Sequence, residues 1–157
     1  MAESSNQILA ADLWVEVAVL GAREISQTMG LGNCRVVTRH AQIVPGSPGA
    51  RISLAGPGIE VEIFVSAAPQ DLASIAARVL KVKPGTVLGR GDQEDALCEL
   101  SNILSGRMKA GMRRVVRGMR ITLPSFQKAR HVEPPVACLE LCLGESSMKV
   151  RVSPSAA

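Results

Sequence analysis

A chain that writes the same helix-then-strands unit twice has few ways to fold, because the second copy must find a place equivalent to the first. The first helical segment carries Asp12, Glu16 and Val19, and 83 residues later Asp95, Glu99 and Asn102 stand at the same spacing. Downstream of each, strand-like runs flank a glycine turn: ARISLAGPGIEVEIFVSAAP in the first half, PPVACLELCLGESSMKVRVSP in the second. Strand-like runs joined by such a turn read as β-hairpins. The pattern predicts a pseudo-twofold pair of α-β-β-β units with one further helix between them.

Periodicity and breakers set the boundaries. Ser5 to Met29 reads as a helix, capped by Ser5 and ended by Gly30 and Gly32. Strands are expected at Cys34–Val44, Ala50–Ala55 and Ile59–Ser66, parted by Pro- and Gly-containing turns. A second helix spans Pro69–Val82, with Pro69 suited to its first turn. After a connector at Lys83–Gly91, a third runs from Asp92, the expected N-cap, to Val115. Met119–Leu123, Pro134–Leu143 and Ser147–Val152 complete the second set of strands. The fold class is therefore α/β in α+β layers: long helices on a mostly antiparallel sheet. The length suits one domain over residues 1–157, with 153–157 a frayed tail.

Composition excludes several classes of function. Hydrophobic residues make up 46% of the chain, enough for a packed core. Aromatics are limited to Trp14, Phe64 and Phe126, too few for the stacking platforms of single-stranded nucleic-acid binding. The net charge of +4 permits an acidic partner without selecting one. Neither His40 nor His131 stands at a ligand spacing from Cys34, Cys98, Cys138 or Cys142, so no metal site is expected. No apolar run reaches membrane-spanning length, and the polar start MAESSNQ has no signal-peptide pattern. A reducing cytoplasm is the expected location.

The third helix holds the candidate site. Asp95, Glu99, Asn102 and Gly106 fall at i, i+4, i+7 and i+11, within roughly 60° of one face. Leu97, Leu100, Leu104 and Met108 point the other way. Asn is a poor residue mid-helix, and Gly costs about 1 kcal/mol against Ala there. Either the stripe is an ordinary solvated face, or it is a surface that another molecule must approach closely. A basic run follows at Arg107, Lys109, Arg113, Arg114, Arg117 and Arg120. It reads as cations at a helix C-terminus, favoured by the dipole, or as a docking patch for an acidic partner, with nucleic acid the last choice because no helix-turn-helix or RNA-binding motif is visible. The glycine-rich Gly85–Gly91 lacks the Gly-Lys-Ser/Thr of a phosphate loop and reads as a connector.

The stretch Asp95-Ala-Leu-Cys-Glu99-Leu-Ser-Asn102-Ile-Leu-Ser-Gly106 resembles the D/S-x-x-x-E-x-x-N-x-x-x-G signature of the CheC/CheX/FliY chemotaxis phosphatases. RITLPSF, Arg120 to Phe126, is similar to the strand that follows this helix in CheX, although Leu123-Pro124-Ser125 stands where a double proline is found there. Only the third helix keeps the Asn, which favours the CheX type with one motif per chain. The resemblance implies a protein aspartyl-phosphate phosphatase acting on a phosphorylated CheY-like response regulator. Asn102 would orient the attacking water, and Glu99 would pair with the regulator's active-site Lys. Ser105 and Gly106 would let the two backbones come close, with Asp95 at the margin of the contact. It also implies a homodimer and no cofactor of its own, with Mg²⁺ on the partner. The first helix, with Val19 in place of the Asn, would be silent. The alternative is a catalytically weak CheX-like module that docks a regulator or a flagellar motor component.

Overall fold

The computed structural model describes residues 2–83, 85–131 and 135–155, with side chains from Ala11 onward. Helix α1 spans Ala2–Thr28, followed by β1 (Cys34–Thr38), β2 (Pro48–Gly56) and β3 (Ile59–Ser66). Helices α2 (Pro69–Val79) and α3 (Arg90–Gly111) come next, and a short 3₁₀ turn at Met112–Arg114 extends α3. The chain closes with β4 (Arg120–Ile121), β5 (Ser125–Lys128), β6 (Ala137–Leu143) and β7 (Ser146–Pro154).

The strands form one sheet in the order β1-β6-β7-β3-β2-β4, with β5 also on β2. Every pairing between them is antiparallel. This order is the predicted repeat made visible: each half contributes a hairpin, and each half's outer strand pairs with the hairpin of the other half. The hairpins meet at β3 and β7, with Phe64 opposite Arg151 near the middle of the ladder. Both hairpin loops are two residues long, because Gly56 pairs with Ile59 and Leu143 with Ser146. Gly58 (φ 73) and Gly144 (φ 64) supply the left-handed backbone that such turns need.

The core lies between helices and sheet. Leu97, Leu100, Leu104 and Met108 of α3 bury against Trp14 and Ala18 of α1 and against Ile63, Val65, Leu139 and Val150 of the sheet. Helix α2 adds Leu72 and Ile75. Helix α3 packs against both other helices. A Cβ at Gly21 would lie 3.2 Å from the Arg107 Cβ, and one at Gly111 would lie 2.8 Å from Val17 Cγ1. Rising numbers on α1 thus meet falling numbers on α3, so the two run antiparallel at close range.

Several expected boundaries move, each for a physical reason. The first strand ends at Thr38 instead of Val44, because residues 39–47 leave the sheet edge and cross its back. There Ala41 N donates to Cys138 O at 3.0 Å and Gly46 N to Ala129 O at 2.8 Å. Helix α3 starts at Arg90 behind Gly89, which has no side-chain cap bond, so Asp92 is a first-turn residue and not the N-cap. Helix α2 stops at Val79, with Lys81 in a left-handed conformation (φ 54) just beyond. The expected Met119–Leu123 strand shortens to β4, and a further strand that was not expected, β5, pairs with β2 beyond Pro124, which stands in the break between the two. The expected frayed tail is strand as far as Pro154, with Ser153 buried and Ser155 N bonded to Glu60 O at 3.1 Å. Helix α1 begins at Ala2, so Ser5 stands inside it and is not its N-cap. Ala156 and Ala157 lie outside the described residues, as does Pro134, the expected start of the sixth strand.

Candidate functional site

Helix α3 is held on both flanks, so one face alone is left outward. Asp95, Glu99, Asn102 and Gly106 are all exposed on that face. Among the described residues, no hydrogen bond or ion pair engages the side chains of Asp95, Glu99 or Asn102. Three residues of helix separate Glu99 from Asn102 by about 4.5 Å along the axis, so a carboxylate and an amide stand side by side with free hydrogen-bonding capacity. A convex ridge of this kind suits insertion into a partner's cleft, not enclosure of a small molecule.

Ser105 departs from the expectation. It is fully buried, with its hydroxyl unpaired among the described residues, and its side chain does not reach the exposed stripe. By angle it sits roughly 80° from Asp95 on the helix wheel, turned inward. Ser101, also buried, donates to Leu97 O at 2.7 Å within the helix. Both are small residues that allow close packing below the ridge.

Gly106 has no atom within 4 Å of where a Cβ would stand, whereas at Gly111 the β-branched Val17 is in the way. Two glycines on one helix therefore answer to different needs. Gly106→Ala is expected to stabilise the free protein by about 0.5–1 kcal/mol through helix propensity. Gly111→Ala is expected to destabilise it by about 1–2 kcal/mol through overpacking against α1. Urea denaturation of both variants measures the difference.

The matching stripe on α1 is not equivalent. Asp12 and Glu16 are exposed, but Val19 is buried, and Arg23 stands where the repeat places Gly106. That face offers neither an amide nor room for close approach. Arg23 is a residue that sequence reasoning passed over; laying the 83-residue offset one step further down the helix exposes it.

Neighbouring chemistry narrows the options. The Cys98 thiol on the flank of the stripe is pushed up chiefly by burial and then by the charges of Asp95 and Glu94, which keeps it protonated at neutral pH and a poor nucleophile. Among the described residues no group of three or more His, Cys, Asp or Glu is placed to hold a metal. In the basic run, Arg107 pairs with Glu24 at 3.3 Å, and Arg113, Arg114 and Arg117 line a shallow concavity beyond the helix end. No helix among the described residues is long and apolar enough to cross a membrane.

Neither a family model nor a curated protein matches the sequence. Solved structures do. The CheX chemotaxis protein of Desulfovibrio desulfuricans superposes with a TM-score of 0.74 at 15% identity, covering 90% of this chain and 99% of that one. CheX of Borrelia burgdorferi, solved as a CheX–CheY–BeF3–Mg²⁺ complex, gives 0.67 at 14% identity over 91% and 98%. The middle domain of FliM from H. pylori gives 0.66 at 12% identity over 95% and 92%. The chain therefore has the CheC/CheX fold, which the FliM middle domain shares.

Proposed function

We propose that the protein is a CheX-like module that docks a phosphorylated response regulator on the outer face of α3 and hydrolyses its aspartyl phosphate. The observation that carries this reading is the open stripe of α3. Glu99 and Asn102 are exposed, adjacent and unengaged, and Gly106 leaves space beside them. A protein of the same fold is known in complex with CheY.

In the reaction, a water oxygen bonds to phosphorus, the bond from phosphorus to the Asp carboxyl oxygen breaks, and inorganic phosphate leaves. The regulator brings its own Mg²⁺ and Lys to balance charge, so this chain's task is orientation. The Asn102 amide serves through its carbonyl oxygen, which accepts a hydrogen bond from the water, while its NH₂ donates to a neighbouring acceptor. The amide does not titrate, so its action is independent of pH over the ordinary range. Glu99 accepts a charge-assisted bond from the regulator's Lys and fixes the register of α3 in the cleft. Asp95, one turn earlier, lies at the margin of this contact. The same reading makes the protein a cytoplasmic homodimer with one regulator per protomer, which light scattering of the free and bound protein tests.

The second reading is a docking module without catalysis, favoured by the FliM middle domain's sharing the fold. Decay of a phosphorylated regulator with substoichiometric protein separates the two. Multiple turnovers support the phosphatase; saturable binding with an unchanged phosphate lifetime supports the docking module. On either reading, Glu99→Gln is expected to weaken regulator binding about 10-fold or more, the worth of one charge-assisted hydrogen bond. Titration calorimetry with a stably activated regulator checks it.

A further inference from the structure

The exposed face of α3 changes sign along its length. Asp92, Asp95 and Glu99 are exposed in its first half, and Arg113, Arg114 and Arg117 are exposed just past its end, followed by Arg120 on β4. Ideal helical rotation brings Arg113, about five turns on, back to the direction of Asp95, and the tighter 3₁₀ turn at Met112–Arg114 moves it by about 40°. The stripe that carries Asn102 therefore runs on into these cations, about 16 Å further along the axis.

The cations do not serve the fold of the free chain. The last carbonyls of α3 are met by backbone, because Met112 N faces Met108, Lys109 and Ala110 O, so no guanidinium caps the helix. The helix dipole favours a cation within the last turn, which covers Arg113 and Arg114 but not Arg117 and Arg120. Among the described residues none of these four side chains makes an ion pair or a hydrogen bond, unlike Arg107, which Glu24 holds. Outside the described side chains the chain has two acidic residues, Glu3 and Glu133, against four such cations. Like charges this close repel one another and weaken the free protein.

The turn that presents them is anchored. Val115 N and Val116 N both donate to Met112 O, at 2.9 and 2.8 Å. Gly118 takes the left-handed backbone (φ 75) that returns the chain to β2. There a Cβ on Gly56 would lie 3.0 Å from Val116 Cγ1 and 3.1 Å from Cγ of the buried Met119. Arg113, Arg114 and Arg117 line one open hollow of about 410 Å³ with Gly118. Guanidinium groups gathered on a fixed turn match carboxylates presented together on a partner's surface.

We infer that the basic end of α3 is a second docking element for the regulator, taking a carboxylate-rich patch about 16 Å from the phosphorylated Asp and setting the direction in which α3 lies across the cleft. Glu99 alone fixes a point of contact. A change of sign along the ridge fixes a direction, since a reversed partner would set its carboxylates against Asp92 and Asp95. Charges at the rim of an interface act on encounter, whereas the Glu99 bond to the regulator's Lys, desolvated on docking, acts on dissociation. The inference rests on a regulator docking on α3 and is indifferent to whether hydrolysis follows.

The test is stopped-flow association of the full-length protein with each of a panel of response regulators held active by beryllofluoride and Mg²⁺. A triple variant, Arg113→Gln with Arg114→Gln and Arg117→Gln, is expected to associate about 10-fold more slowly at low salt, with dissociation little changed. The difference is expected to vanish near 1 M salt, where the screening length falls to about 3 Å. A control triple, Arg35→Gln with Lys83→Gln and Lys128→Gln, makes the same charge change at exposed positions elsewhere and is expected to keep the wild-type rate within about 2-fold. Urea midpoints of both triples should match wild type. Equal slowing in the two triples assigns the effect to net charge and overturns the patch. An unchanged rate in the first triple, with Glu99→Gln still weakening binding, overturns the inference and leaves docking on α3 intact. No binding of any regulator by the wild type overturns docking on α3 and the inference with it. Duplex DNA and phosphatidylserine vesicles form separate arms: binding to either that the first triple loses, with regulator association unchanged, gives the patch to that partner and overturns the assignment.

Discussion

On the phosphatase reading, Asn102→Ala is expected to leave the protein folded and the regulator bound, yet to slow dephosphorylation by about 10²-fold, the scale of losing a positioned reactant. The side chain is exposed and has no partner among the described residues, so nothing in the free protein depends on it. Ala is the better helix former, and stability should rise by a few tenths of a kcal/mol. Regulator affinity should change little, because Glu99 and the shape of the ridge remain. The loss then appears in the rate of the bound complex alone, as expected for an interaction made only in the transition state. Asn102→Asp is the sharper control. It keeps the size and an acceptor oxygen but removes the NH₂ donors and adds a negative charge beside a phosphoryl group, so it should be no more active than Ala. Wild-type rates with Asn102→Ala would remove the water-orienting role and return α3 to a docking surface.

Much of this was legible in the sequence, for an identifiable reason. The glycine turns at Gly58 and Gly144 mark both hairpins, and Ile59–Ser66 is a strand with those bounds because turn and alternation agree there. The stripe on α3 follows from helical geometry once the helix is placed, and all four of its residues are exposed. What periodicity missed is tertiary. Whether Ser105 faces a partner or the interior depends on α3 being flanked on both sides, which no local pattern states. The strand β5 beyond Leu123, which the sequence reading did not place, depends on β2 being long enough to pair with two short pieces. The buried Glu62, which meets Arg51 at 2.9 Å and Arg151 at 3.8 Å, did leave a signal: all three are charges at alternate positions inside apolar strands. Its meaning appears only when β2, β3 and β7 bring them to one face.

Arg78→Met is expected to lower stability by about 3 kcal/mol, since charge-assisted hydrogen bonds are worth about 1.5–3 kcal/mol each and several are lost together. Arg78 projects from α2 to the place where the two halves of the fold meet. Its Nη1 donates to Leu31 O, just past the end of α1, and to Leu143 O at 3.1 Å, at the end of β6. Its Nη2 donates to Ser146 Oγ at 2.7 Å, and Ser146 Oγ in turn donates to Ser74 Oγ at 2.9 Å. A Cβ on Gly32 would lie 2.8 Å from Gly144 Cα, so the turn after α1 and the β6–β7 turn touch backbone to backbone beneath this guanidinium. Met keeps most of the stem and its packing but strands two carbonyls that share one donor group. Lys should recover only part of the loss, because a single ammonium cannot span acceptors that a planar fork reaches together. The deficit should appear as a lower urea midpoint with the slope unchanged, and, on the phosphatase reading, the activity that depends on Asn102 should persist in the folded fraction. A variant as stable as wild type would mean that α2 is held without Arg78, by Leu72, Ile75, Ala76 and the Asp71 bond to Ser147 N, and that the guanidinium clasp adds nothing beyond what water supplies to the same groups.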